Sequence, residues 1–119
     1  MKKEHLLFFN KKNKNGRIYK VENLINLDFS KEKYVEPFIS GEPDVRLHLL
    51  CGRILDMEIV DDGLIGNFVP IDGYIRPKNT VIRPTSLANI REDGVAKNVD
   101  IVKFAIIKKE DDSFREFYE

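Results

Sequence analysis

A serine hydroxyl becomes a nucleophile only when a base takes its proton. The chain has two histidines, His5 and His48, so the first question is which serine could meet which imidazole. His48 lies in the apolar run Leu47-His48-Leu49-Leu50, with Arg46 two residues earlier on the same strand face. Ser86, beside Thr85, falls in "TVIRPTSLANI", a run that reads as a strand able to neighbour that of His48, whereas Ser30, Ser40 and Ser113 fall in turn or tail contexts. The acyl-transfer reading therefore takes Ser86 as nucleophile and His48 as general base. It leaves a third group unassigned and needs an oxyanion hole near Leu87 and Ala88. The plainer reading of His48 is a partly buried strand residue satisfied by a backbone carbonyl.

Other chemistries find less support. There is no phosphate-binding loop, nucleophile elbow, H-E-x-x-H or dinucleotide fingerprint, so no cofactor is expected. Two histidines and one cysteine, Cys51, do not make a metal site. The acid pairs Asp61/Asp62 and Asp111/Asp112 lie in turns or the tail and read as solvated surface. Arg17, Arg46, Arg53, Arg76 and Arg83 could form an anion-binding surface, set against the plainer reading of solvated side chains.

The elements that would position these residues are mostly strands. "HLLFFN" (5–10) reads as a first strand, and the Lys/Asn/Gly-rich stretch 11–20 as a loop turning at Gly16 and tied down by Asn15 and Tyr19. From Val21, the spacing of Leu24 and Ile25 predicts about two helical turns before Pro37. "RILDMEIV" alternates with period two, meets the turn Asp61-Asp62-Gly63 and returns as "LIGNFVPI", a β-hairpin. A second hairpin pairs "TVIRPTSLANI" with "VAKNVDIVKFAII" around Arg91 to Gly94. Three prolines, Pro70, Pro77 and Pro84, make the segment between the hairpins a crossing loop or edge. Met57, Ile59, Phe68, Val102, Phe104 and Ile106 are the expected core. The fold class is mostly β: a small single-domain barrel or sandwich over residues 1–119 with one or two short helices.

Composition narrows the partners. Twenty basic and twenty acidic residues give a net charge of +0, so no global field draws the chain to nucleic acid or an anionic membrane. The charges are unevenly spread, however: residues 1–20 carry seven bases and one acid, and residues 110–119 five acids and one base. The two ends could attract one another or a partner chain. One cysteine excludes an internal disulfide, and no apolar run approaches the roughly 18–20 residues that span a bilayer, so the chain reads as intracellular.

Three blocks carry a family resemblance. "NKNGRIYKVENL" resembles the opening of tailed-phage prohead proteases, the serine proteases of capsid maturation. "LHLLCGRILDMEIVDDGLIGNFVPID" resembles their histidine-bearing strand, acidic turn and return strand, and "RPTSLANIREDGVAKNVDIVKFAIIKKEDDSF" their serine-bearing and closing strands. The departures are specific. The helix that precedes the nucleophile in the family shrinks here to "GYIRPKNT", and alignment on Leu87-Ala88-Asn89-Ile90 puts Arg83 or Pro84, not Ser86, at the nucleophile position. A non-catalytic relative is therefore expected, acting as an assembly factor or as a binding protein that sequesters a small anionic ligand or blocks a host protein. A minimal serine endopeptidase is the alternative. The resemblance implies residence in an infected bacterial cytoplasm or a prohead, with a phage or host protein, a small anionic ligand or, in a homo-oligomer, a second copy as partner.

Overall fold

Short apolar runs separated by Asn, Asp and Gly turns become seven strands in the structure, a computed structural model that describes residues 3–37 and 50–118. β1 (Glu4–Phe8) leads through a crossing segment and one 3-10 turn (Val21–Asn23) to β2 (Leu24–Ile25) and β3 (Lys33–Glu36). β4 (Gly52–Val60) and β5 (Gly63–Pro70) form one hairpin, β6 (Thr80–Ile90) and β7 (Ala96–Lys108) the other. A tail with 3-10 turns at Lys109–Asp111 and Arg115–Phe117 follows.

The sheet runs β1-β5-β4-β3-β7. One edge of β7 is paired along its length with antiparallel β6, and the other takes β2 and β3 in parallel, at Leu24↔Val99 and at Val35↔Phe104. The fold is thus mostly β, a single sheet curled into a half-barrel. The curl brings β1 and β6 face to face without a backbone ladder between them, and two arginines bridge this seam. Arg76, from the loop after β5, grips Glu4 of β1 through both carboxylate oxygens at 2.8 and 2.9 Å, and Arg83 of β6 donates to the His5 carbonyl at 2.8 Å.

Both expected hairpins form, and Phe104, Ile106 and Met57 are buried as expected. Phe68 and Val102 are only partly buried. Ile59 is 42% exposed, a correction with a local cause. An extra residue bulges β4 between Leu55 and Glu58, with Asp56 at φ 54°, so the alternation changes phase there. Ile54 before the bulge and Met57 after it both reach the core, and Ile59, paired with Leu64 on that same face, is exposed because it lies one pair from the hairpin's end.

The two-turn helix expected from Val21 is also corrected, to a single 3-10 turn. Asn23, Asn26 and Asp28 offer the backbone local alternatives to a helix. Asn26 takes φ 57°, the Asp28 carboxylate accepts from Ser30, and Leu24 and Ile25 instead pair with β7.

At the tip of the first hairpin, Phe9 N–H donates to the Asp62 carbonyl, and the His5 ring lies 2.9 Å from the Asp62 carboxylate while stacking on Phe8. That hydrogen bond is the chief reason the Asp62 carboxyl titrates below its usual range. A depressed folded-state pKa contributes stability above the unfolded value, about 3.9, and the contribution is lost as pH falls through the folded value. His5→Ala should therefore return the Asp62 pKa toward the ordinary carboxylate range, as followed by carboxyl-carbon NMR titration. An unchanged Asp62 pKa would show that the imidazole is not its partner in solution. Among the described residues no helix is long and apolar enough to cross a membrane.

Candidate functional site

The strand that carries Ser86 also carries Arg83, and the two have different surroundings. Arg83 is 5% exposed. Its Nε and Nη2 donate to the two carboxylate oxygens of Asp112 at 3.0 and 2.8 Å, and Nη1 donates to the carbonyls of His5 and Ile82. The guanidinium lies 5.5, 5.7 and 6.0 Å from the ring centres of Phe8, Phe114 and Tyr118. Asp112, 1% exposed, also accepts from the Tyr118 hydroxyl at 2.6 Å and the Phe114 N–H. The solvated reading of Asp112 is thus corrected. It fixes the tail to the barrel, whereas Asp111 beside it is exposed.

The tail in turn meets the lysine-rich loop. Asn13, 7% exposed, folds the loop on itself: its side-chain oxygen accepts from the N–H groups of Asn15 and Arg17, and its amide donates to the Ser113 hydroxyl. Lys14 N–H donates to the Ser113 carbonyl. Gly16 turns at φ 76° and packs so closely on the second hairpin that a Cβ at Gly94 would strike the Gly16 carbonyl oxygen. The turn expected at Gly16 is present, Tyr19 anchors it by accepting from Asn10 N–H, and Asn13 rather than Asn15 supplies the side-chain bonds. The basic and acidic ends do lie together, but among the described residues no ion pair joins a loop lysine to a tail acid. Lys11 sits instead over the Phe117 ring at 5.2 Å.

Between loop, tail and β6 lies a cleft of about 390 Å³ whose walls include Ser86, Thr85, Arg17, Asn15, Asp111 and Ser113. Thr85 Oγ1 is buried and has no hydrogen-bond partner among the described residues. Arg17 is exposed and enters none of the ion pairs among the described residues. The other arginines do not converge on it as a set. Arg53 faces Glu32 at 3.4 Å, Arg76 is held by Glu4, and Arg83 borders the cleft with its charge matched by Asp112. Arg46 and His48 lie outside the described residues. A larger depression, about 830 Å³, opens beside Tyr74, Thr80 and Lys109, but Ser86 is not on its walls.

The cleft can therefore bind through one unmatched guanidinium and several hydroxyls. Among the described residues its lining includes no histidine, and the Asp112 carboxylate is already engaged by Arg83 and Tyr118. Among the described residues no three potential metal ligands come together. Cys51 is buried, donates to the Val35 carbonyl, and has its thiol pKa pushed up by burial, which suits a packing residue better than a nucleophile.

Sequence reasoning missed Asp112, Asn13 and the caging rings. A signal for the tail was present: Phe114, Phe117 and Tyr118 put three aromatics into five residues of an acidic stretch, more apolar surface than a solvated tail carries. Compared with protein-family models, with curated proteins and with solved structures, the chain has no match in any of the three.

Proposed function

We propose that this chain is a non-catalytic relative of the prohead proteases that sequesters a small ligand bearing an anionic group in the cleft beside Ser86. The observation that carries the reading is the state of Arg83. Alignment of the strand puts Arg83 or Pro84 where the family has its serine, and Arg83 is buried in an ion pair with Asp112 that joins tail to barrel. Such a site serves cohesion rather than acyl transfer. Beside it, Arg17 and the hydroxyls of Ser86 and Ser113 form a set of donors suited to an anion.

The test has two arms. Titration calorimetry with inorganic phosphate and with simple carboxylates should detect binding that Arg17→Gln weakens roughly ten- to hundredfold, the range for a hydrogen bond to a charged group. Ser86 should stay unlabelled by a fluorophosphonate probe. Labelling that disappears in both Ser86→Ala and His48→Ala would overturn this reading in favour of the endopeptidase.

A further inference from the structure

The charges around the cleft constrain its ligand further, on the premise that the cleft is the binding site. Among the described residues, four charged ones border it: Arg17, Arg83, Asp111 and Asp112. Arg83 and Asp112 cancel one another in a bidentate pair. One cation and one anion remain, Arg17 and Asp111, both exposed and both outside the ion pairs of the described residues. Both line one cavity of about 390 Å³, so a ligand held there meets both fields, which reach about 8 Å at physiological ionic strength. A ligand with several negative charges would satisfy Arg17 and be opposed by Asp111. A ligand with one charge of each sign satisfies both.

The rest of the lining suits the body of such a molecule. Pro84 and Tyr19, both partly buried, give the cleft an apolar side, and the Ser86 hydroxyl offers a hydrogen bond. We infer that the cleft takes a small zwitterion of the apolar α-amino-acid class, with its carboxylate on Arg17, its ammonium on Asp111 and its side chain against Pro84 and Tyr19. This assigns Asp111, otherwise one exposed acid among several in the tail, as the residue that selects for the ammonium.

Calorimetry on the full chain tests the assignment with L-leucine, L-phenylalanine, isocaproate (leucine without its ammonium), isoamylamine (leucine without its carboxylate) and inorganic phosphate. An amino acid should bind at least about tenfold more tightly than either half-molecule, and Arg17→Gln and Asp111→Asn should each weaken it by about tenfold or more. Asp111→Asn should leave isocaproate unchanged or strengthen it. Unchanged melting temperatures would show that both variants stay folded, as expected for exposed, unpaired side chains. If phosphate or isocaproate binds through Arg17 more tightly than either amino acid, and Asp111→Asn tightens it, the zwitterion assignment fails while the anion site stands. If nothing binds and neither variant changes any titration, both fail together.

Discussion

Arg83→Ala is expected to destabilise the protein by about 3–5 kcal/mol, the cost of leaving a buried carboxylate without its partner. The loss has several parts acting in one direction. Asp112 would keep its charge at 1% exposure with, among the described residues, the Tyr118 hydroxyl and Phe114 N–H as donors. The His5 carbonyl would lose the hydrogen bond that bridges β1 to β6, and Phe8, Phe114 and Tyr118 would border the space the guanidinium fills. Asp112→Asn should cost less than Asp112→Ala, because the amide oxygen can still accept from the guanidinium. Urea denaturation measures these differences as shifts of the midpoint at constant slope. Because the pair anchors the tail, Arg83→Ala should also speed amide exchange across residues 109–118 before the rest of the sheet. A loss under about 1 kcal/mol, the range of exposed pairs, would mean that the tail is undocked in solution and the pair solvated.

What the sequence made legible were features written in local chemistry. Both hairpins were readable because Asp61-Asp62-Gly63 and Arg91 to Gly94 put turn formers between alternating runs, and the turn at Gly16 because glycine tolerates positive φ. The β4 bulge was not readable, since Asp56 at φ 54° leaves no composition signal in a run that otherwise alternates cleanly. The helix expected from Val21 failed because a short apolar spacing cannot distinguish two helical turns from a two-residue strand, and pairing with β7 decided the matter. The candidate cleft was half legible. Ser86 and Arg17 were singled out by residue type, but what commits Arg83 and frees Arg17 is a tail contact twenty-nine residues along the chain from Arg83, and long-range pairing of that kind has no periodicity to read.

Lys103 had a signal of its own: one cation inside "IVKFAII", a run too apolar to leave a lysine in water by design of the strand. In the structure Lys103 Nζ lies 2.9 Å from Glu36 Oε2, and both side chains are 0% exposed. The geometry follows from register. Glu36 of β3 is paired with Ala105 of parallel β7, so Lys103, two residues earlier on the same face, is its diagonal neighbour. Lys103→Met is expected to cost about 3–5 kcal/mol by removing the ion-pair partner of the buried Glu36 carboxylate, and Glu36→Leu a similar amount by removing that of the buried ammonium. Combining the two should not add the losses. The double variant places two apolar side chains of similar volume in the same space, and such replacements are often neutral or stabilising by about 1–4 kcal/mol relative to the ion pair. The double-mutant cycle in urea is therefore expected to return a coupling larger than the roughly 0.5–3 kcal/mol common for contacting residues. Additive losses would sink the assignment, because they would mean that the two groups do not stabilise one another. A double variant as stable as the parent would place the pair's value in specificity. Among the described residues β3 and β7 are joined at Val35↔Phe104 and Glu36↔Ala105, and a one-residue slip would carry Glu36 to the opposite face from Lys103. Faster amide exchange in β3 of a double variant of unchanged global stability would show that the buried charges hold that short parallel register.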